Sequence, residues 1–353
     1  MKLPINSMES VNQSTYFIAD ISANHDGDLL RAKKLIGLAA ESGANAAKFQ
    51  NFRAETIISR KGFHELGKKI AHQESWSKEV FEIYKDAELP IEWTEILIQT
   101  CSEFGIDYFT SPYDLNFIEF FSDKMPFFKI GSGDITWFDS IALMASYGKP
   151  LLLATGASTM EEIKAAVEVI DNHGVPLILM QCNTNYTGSK DNFDFLNILA
   201  LEEFKTNFPQ AVLGLSDHSP GHISVLGAVA LGARVIEKHF TDDVTRIGPD
   251  HGFSLDPVTW KEMVDCTRLL ERALGNGIKK IELNEVDSRI VQRRALRYKT
   301  GMKYGSKVTN KDLIALRPCP KNGLSPFEIP KISGKLLRVP VIADQLVQLS
   351  DFE

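Results

Sequence analysis

Pro150-Leu-Leu-Leu-Ala-Thr155 is apolar at every central position, with no alternation of polar and apolar residues. A strand with one wet face alternates, whereas a parallel strand covered by helices on both faces does not. Seven further short runs have the same character and also end in polar residues: Tyr16–Ser22, Ala46–Gln50, Asp107–Ser111, Phe127–Ser132, Pro176–Asn183, Ala211–His218 and Arg234–Phe240. Nearly all are followed by a helical stretch. Eight strand–helix units in series predict an α/β fold, a closed (β/α)8 TIM barrel.

Barrel enzymes carry their chemistry at the C-terminal ends of the strands. Those ends hold Lys48, Gln50, Thr110, Lys129, Ser132, Ser216, His218, Glu237 and His239. The chain reads as an enzyme.

The intervening helices are legible. Leu29, Ala32, Leu35, Ile36 and Ala39 recur at helical spacing over 28–42, and Gly43 is placed to stop that helix. Thr159 with Glu162 forms a capping box for a helix to Asp171. Ser219-Pro220 predicts a helix start running to Gly232, and Pro257 another ending near Gly275. Between Phe52 and Trp76 lies a long polar excursion after the second strand. On a barrel's catalytic face that length reads as a lid.

The barrel is assigned to residues 1–275, leaving a charged linker over 276–292 and a small β-rich domain over 293–353. That last segment is short and turn-broken, with strand-like runs at 297–301, 305–308, 312–316 and 337–342. A domain of this size lies near the lower limit for folding alone.

Of 353 residues 44% are hydrophobic and 24% charged, ordinary for a globular protein, and the net charge is −7. An acidic chain argues against nucleic acid or an anionic membrane as partner. Cys101, Cys182, Cys266 and Cys319 are widely spaced without a CxxC pattern, which favours reduced thiols and a cytoplasmic location. Residues 1–15 lack an apolar core of the signal-peptide kind, and no run is long enough to span a membrane.

Strand alternation sorts the polar residues. Glu237 and His239 share one side of their strand and Lys238 the other; Ser216 and His218 pair in the same way. Two histidines at the tips of adjacent strands can hold one metal ion, with oxygen ligands completing the shell. Each alone reads equally well as a hydrogen-bonded strand-end histidine. Lys48 and Lys129, with Thr110, Ser132 and Ser216, supply the charge and directed donors that a phosphate group requires. Lysines on strands also snorkel, and Lys129 suits a Schiff base. Asn183-Thr184-Asn185-Tyr186 offers donors to a polyol, and Asp250 in Gly248-Pro-Asp-His251 can bind hydroxyls or act as a base. Asn24-His25-Asp26-Gly27 reads either as a capped turn or as part of the site.

Ile18-Ala-Asp-Ile-Ser-Ala-Asn-His-Asp-Gly27, Lys48-Phe-Gln50, Lys129-Ile-Gly-Ser132, Gly214-Leu-Ser-Asp-His218 and Ile236-Glu-Lys-His-Phe240, followed by Gly248-Pro-Asp-His251, resemble the sialic acid (N-acetylneuraminate) synthase family. Arg317-Pro318 and Asn322-Gly-Leu-Ser-Pro326 resemble its C-terminal SAF, or antifreeze-like, domain. The resemblance spans the chain. It implies condensation of phosphoenolpyruvate with an N-acetylated hexosamine, N-acetylmannosamine or a diacetamido relative, to a nonulosonic acid and phosphate. By motif, His218 and His239 hold Mn or Mg, and Lys48, Lys129, Thr110, Ser132 and Ser216 hold phosphoenolpyruvate. Asp20 and Glu237 handle the water, while Gln50, Asp134, Thr184, Tyr186 and Asp250 line the sugar subsite. Arg317 reaches the sugar's N-acyl group from the partner subunit of a domain-swapped homodimer.

The chain departs from the family pattern at several positions. Asp20 and Asp134 stand where glutamate is common, Ala154 where serine is usual, and Gln181-Cys-Asn replaces a His-Cys-Thr form. These departures bear on the sugar, and synthases of legionaminic or pseudaminic acid fit them too. A Schiff-base pyruvate lyase and a non-catalytic carbohydrate- or ice-binding protein are the readings from other classes.

Overall fold

The computed structural model describes residues 2–3, 14–69, 73–74 and 76–353. Most of the N-terminal stretch read for a signal peptide, and part of the 52–76 excursion, lie outside the described residues.

Eight parallel strands form one sheet: β1 (Tyr16–Asp20), β2 (Ala46–Asn51), β3 (Asp107–Pro112), β4 (Phe128–Ile130), β5 (Leu151–Ala154), β6 (Leu177–Cys182), β7 (Val212–Asp217) and β8 (Val235–His239). Ladders run in the order β3-β2-β1-β8-β7-β6-β5-β4, and β3 and β4 pack side by side at the seam. The result is a (β/α)8 barrel. Leu151, Leu152 and Leu153 are fully buried, as a strand covered on both faces requires.

The helices fill the outer layer. Leu29–Glu41 is capped by Asp28, whose carboxylate accepts from the Leu30 and Arg31 amides. Thr159 and Glu162 form the reciprocal capping box of Met160–Asp171. Pro257–Leu274 opens with proline in its first turn and is followed by Gly275 at φ +61°. The helix expected from Ser219 instead begins at Ile223, because the Ser219 amide and hydroxyl bond Asp217.

Register sets the depth of each side chain. Asp20 pairs with both Lys48 and His239, and Ser216 with Glu237. Lys238 lies on the outer side, where its ammonium meets Asp217 at 2.5 Å and donates to the Ser219 carbonyl. Ser219 and Ser224 complete the Asp217 shell, so this buried pair ties the ends of β7 and β8 together with its lone pairs engaged.

The excursion after β2 is not plain loop. It carries two short helices, Ala54–Ile57 and Arg60–Glu65, and leads to a third, Val80–Asp86.

The chain divides into two compact units, Met1–Gly275 and Asn276–Glu353. The second has its own core of Leu296, Tyr298, Val308, Leu313, Leu324, Ile332, Leu337, Val341, Val347 and Phe352. Its one ladder among the described residues joins β9 (Ala295–Tyr298) to β10 (Leu313–Leu316), antiparallel. The runs expected as strands at 305–308 and 337–342 make only isolated bridges, Lys307 to Leu336 and Met302 to Val341. The linker is also partly helical, at Val286–Gln292. Among the described residues no helix is long and apolar enough to cross a membrane. All four cysteines are free.

Candidate active site

A cavity of about 370 Å³ opens at the C-terminal ends of the strands. Its floor is a charge network. Glu237 Oε1 accepts from Lys48 Nζ at 2.8 Å, from Lys129 Nζ at 2.9 Å and from Ser216 Oγ at 3.3 Å. Lys48 also meets Asp20 Oδ2 at 2.7 Å, and Gln50 donates to the same oxygen at 3.2 Å. All four charged groups are buried.

Burial alone pushes the Glu237 carboxyl up, but the Lys129 and Lys48 ammonium groups override it and hold it well below the usual range. Lys129 is held low, first by burial and then by the Lys48 charge, with Glu237 opposing. The opposite balance applies to Lys48: burial works against its charge, and Asp20 and Glu237 together raise it. Glu237 Oε2 and Asp20 Oδ1 are buried with no hydrogen-bond partner. Each carboxylate therefore keeps one unused acceptor oxygen within the charge network.

Beside this floor, Ser132 Oγ accepts from the Gly156 amide at 2.9 Å. A Cβ at Gly156 would stand 2.5 Å from Thr184 Cγ2 and 2.9 Å from Ser132 Oγ, so only glycine lets these strand ends close up. The buried Cys182 thiol, raised by burial, lines the same corner.

Above it stand the two histidines, ring centroids 5.4 Å apart. His218 Nδ1 bonds the Asn183 carbonyl at 2.8 Å; a carbonyl only accepts, so Nδ1 carries the proton and Nε2 keeps its lone pair. Burial, then the neighbouring His239, keeps His218 well below its ordinary range and hence neutral. His239 Nδ1 is buried without a hydrogen-bond partner, 4.0 Å from Asp250 Oδ2, and Nε2 lies 3.4 Å from Asp20 Oδ2. A carbonyl-fixed neutral imidazole beside an orphaned ring nitrogen fits a metal-ligating pair. Among the described residues no group of three or more His, Cys, Asp or Glu is placed to hold a metal ion.

Asp250 crosses the mouth. Its Oδ2 accepts from Ser22 Oγ at 2.5 Å and the Ala23 amide at 3.2 Å. Ser22 holds φ at +46° to do so, a backbone conformation rare for a non-glycine residue. Tyr186 packs on the His218 ring at 4.2 Å between centroids. Asp134 is pushed up to about 6 by burial.

Among the residues expected in the site, Asp20, Lys48, Gln50, Lys129, Ser132, Asp134, Tyr186, Ser216, His218, Glu237, His239 and Asp250 line this one cavity. Thr110 does not. It pairs in register with Phe49, the neighbour of inward-facing Lys48, so it points outward and its hydroxyl donates to Asn51 Oδ1 at 2.7 Å. Thr184 packs its methyl toward Gly156 behind the lining. Arg317 belongs to the second unit, after β10.

The sequence alone does not single out several lining residues: Ser22, Cys182, Tyr113, Phe52 and Ile57 of the excursion, and Tyr84 of the helix Val80–Asp86. The histidine–aspartate contact of the neighbouring loops was equally silent. His251 Nε2 meets Asp26 Oδ1 at 2.9 Å and joins the loops after β1 and β8. The Gly248-Pro-Asp-His251 and Asn24-His25-Asp26 motifs were each visible, but their partnership was not.

Residues 35–279 match the NeuB family. The chain is 35% identical to N,N'-diacetyllegionaminic acid synthase of Campylobacter jejuni, over 95% of this chain and 99% of that protein. It is 31% identical to the human N-acetylneuraminate-9-phosphate synthase, over 94% of this chain and 91% of that one. The crystal structure of the N-acetylneuraminic acid (sialic acid) synthetase from Leptospira borgpetersenii superposes with a TM-score of 0.70 at 28% identity, covering 78% of this chain and 90% of that one.

Proposed function

The chain belongs to the NeuB family, and on that premise we propose that it condenses phosphoenolpyruvate with an N-acylated amino sugar to give a sialic-acid-type nonulosonic acid and phosphate. The observation that carries this reading is Glu237 shared by Lys48 and Lys129 on the cavity floor. Two buried ammonium groups under two serine hydroxyls are a receptor for a small, multiply charged anion.

In this reading Lys48, Lys129, Ser132 and Ser216 bind the phosphate and carboxylate of phosphoenolpyruvate. They hold its C3 against the open-chain aldehyde, which Gln50, Tyr186 and Asp250 orient. A C3–C1 bond forms, the aldehyde oxygen takes a proton, and positive charge develops at C2. Glu237 Oε2 and Asp20 Oδ1, the orphaned acceptors, hold the water that adds there. The C2–O bond to phosphate then breaks with its electron pair staying on phosphate, the added water oxygen becomes the C2 carbonyl, and its two protons end on the former aldehyde oxygen and on phosphate. Asp134, with its raised carboxyl, serves as a proton carrier near neutral pH. His218 and His239 hold a divalent ion, Mn or Mg, which supplies Lewis-acid polarisation of the aldehyde when bound.

The reading extends to the second unit as a SAF-type domain that presents Arg317 to a partner's cavity in a domain-swapped homodimer, and to a cytoplasmic location. Phosphate release from phosphoenolpyruvate, with Mn(II) or EDTA and a panel of N-acylated hexosamines, tests it. Sugar-dependent release that EDTA abolishes is expected. No release with any sugar from folded, metal-loaded protein overturns it.

A further inference from the structure

Asp250 reaches the cavity from the loop after β8, not from a strand, so sheet register does not fix its carboxylate. Its neighbour His251 is wholly buried, and Nε2 of that ring meets Asp26 Oδ1 at 2.9 Å. Burial alone would raise the Asp26 carboxyl, but His251 and Arg246 override it and hold it below its ordinary value. A carboxylate only accepts, so Nε2 carries a proton and donates. On the far side of the ring Thr241 Oγ1 lies 2.7 Å from Nδ1. Thr241, His251 and Asp26 thus follow the order of a hydroxyl–imidazole–carboxylate relay. Thr241 and His251 are wholly enclosed, however, so the array holds position and does not meet substrate.

The second Asp26 oxygen is engaged as well. Arg246, from the β8 loop, donates to Oδ2 through Nε at 2.9 Å and Nη2 at 2.6 Å, and Arg31 brings its Nε to 3.1 Å. Asn24, also wholly buried, donates to the Phe240 carbonyl at 3.0 Å and to Ser254 Oγ at 2.9 Å. Ser254 in turn donates to the Asp250 carbonyl at 2.7 Å. None of Asn24, Asp26, His251 and Ser254 lines the cavity.

The backbone shows what these contacts hold. Ser22 at φ +46° and Asp26 at φ +52° both adopt the left-handed conformation, one at the start of the short helical turn Ser22–His25 and one just after it. Non-glycine residues persist there only where their surroundings hold them. Here the β8 loop does so with two consecutive residues: Asp250 accepts from Ser22, and His251 donates to Asp26. Gly248 lets that loop pass over the imidazole, since a Cβ on it would stand 2.6 Å from His251 Cδ2.

We infer that Asp26 and His251 are positioning residues for the condensation: a clamp between the β1 and β8 loops that sets the place of Asp250, and through it the acceptor sugar, without touching either substrate. This rests on the reading of the cavity as a condensing site with Asp250 on the sugar.

The clamp implies a split between the two substrates. Phosphate release from phosphoenolpyruvate is followed with Mn(II)-loaded full-length protein and the best acceptor of a panel of N-acylated hexosamines. Asp26→Ala and His251→Ala are each expected to lower kcat/KM for the sugar on the order of tenfold or more, because a displacement of about 1 Å suffices. KM for phosphoenolpyruvate should stay within about twofold, since independent sites do not share the loss and Lys48 and Lys129 stand on β2 and β4. The double variant should be no worse than the weaker single, as both break one contact. Asp26→Asn keeps an acceptor and tolerates the left-handed backbone, and His251→Gln keeps an amide donor; both should recover most of the loss. Changes on separate loops guard against one failing to fold.

Hydrogen–deuterium exchange gives a readout apart from turnover: Asp26→Ala should speed exchange over 248–254, the loop that does not carry the change. Unchanged exchange there overturns the clamp. Faster exchange with equal losses for both substrates, or with no loss for the sugar, overturns the positioning role and leaves the condensing reading standing. No phosphate release by the wild type with any sugar overturns the condensing reading and the inference with it.

Discussion

Lys129 Nζ, from β4, lies 2.9 Å from Oε1 of Glu237, on β8, four strands round the ring and so across the barrel. One carboxylate thereby fixes the deepest cation of the cavity from the opposite wall. Lys48 joins the same oxygen, so the two ammonium groups sit side by side only because Glu237 is ionised. Glu237→Gln preserves the volume but leaves Lys129 without a carboxylate partner and Lys48 with Asp20 alone. Urea unfolding is expected to show a loss of about 3–5 kcal/mol, the range for breaking a buried ion pair from one side. A change below 1 kcal/mol would mean the lysines find other partners.

The same contact gives stability a pH dependence of definite sign. The folded Glu237 carboxyl lies below its ordinary value of 4.5 because Lys129 and Lys48 outweigh burial. Its contribution is therefore complete above 4.5 and declines as pH falls below that toward the depressed folded value. The Gln variant should lose this acid-limb slope, and the wild-type and variant denaturation curves should converge below pH 4. Parallel curves from pH 7 to pH 3 would assign the slope to other carboxylates.

The Lys129–Glu237 pair also separates condensing chemistry from imine chemistry on the same fold. A Schiff-base lysine must reach a carbonyl as a free amine. Burial and the Lys48 charge favour that form of Lys129, but its nitrogen is engaged by Glu237 Oε1, which Lys48 shares, so a carbonyl would have to displace that contact. Incubation with pyruvate and borohydride is expected to leave the intact mass unchanged. A stable adduct on Lys129 would make the enzyme a lyase.

Asp134 behaves oppositely to Glu237. Burial raises its folded value to about 6 from 3.8. The folded state thus binds the proton more tightly, and wild-type stability should rise relative to Asp134→Asn as pH falls through 6 toward 3.8. Turnover that needs the ionised form should fall below pH 6, and the Asn variant should show a lower but flat profile across pH 5–7. An unchanged acid limb in the variant would place the titrating group elsewhere.

What the sequence made legible was whatever depends on local periodicity. Period two put Glu237 and His239 inside with Lys238 outside, and the structure keeps that sorting through β8. The capping box at Thr159 likewise needed only four residues. Thr110 was lost to parity: it sits one residue out of phase with Phe109, and phase is set by pairing with β2 rather than by anything in its own strand. The apolar part of the cavity lining was hidden for a different reason. Ile57 and Ile83 lie 26 positions apart in a polar stretch whose short helices have no strong period of their own. Only packing against the barrel's mouth makes them one surface. Ser22 meeting Asp250 and Asp26 meeting His251 are loop-to-loop contacts across the β1–β8 junction, for which single motifs hold no information.

The histidine pair can be tested apart from turnover. His218 presents Nε2 because Asn183 holds Nδ1, and His239 carries an unpartnered buried nitrogen. Titration of Mn(II) followed by its electron paramagnetic resonance signal should show saturable binding to the wild type. His218→Ala and His239→Ala should each weaken binding by at least tenfold, with little change in far-ultraviolet circular dichroism. Equal affinity in wild type and both variants would put the metal, if any, away from these rings.

Lys238 supplies the contrasting case, a buried charge one residue from two site residues that should not affect chemistry. Its ammonium and the Asp217 carboxylate are wholly enclosed, and Ser219 and Ser224 satisfy the remaining acceptor positions. Lys238→Met leaves Asp217 charged and unpaired, which costs about 3–5 kcal/mol. The double change Asp217→Asn with Lys238→Met removes both charges and should recover more than half of that loss, the non-additivity expected of a contacting pair. In each variant that folds, KM for phosphoenolpyruvate should stay within about twofold of wild type, because the pair faces the helical layer while Glu237 and His239 face the cavity. A large rise in KM without loss of stability would show instead that the outer pair sets the register of the β8 tip, and with it the position of Glu237.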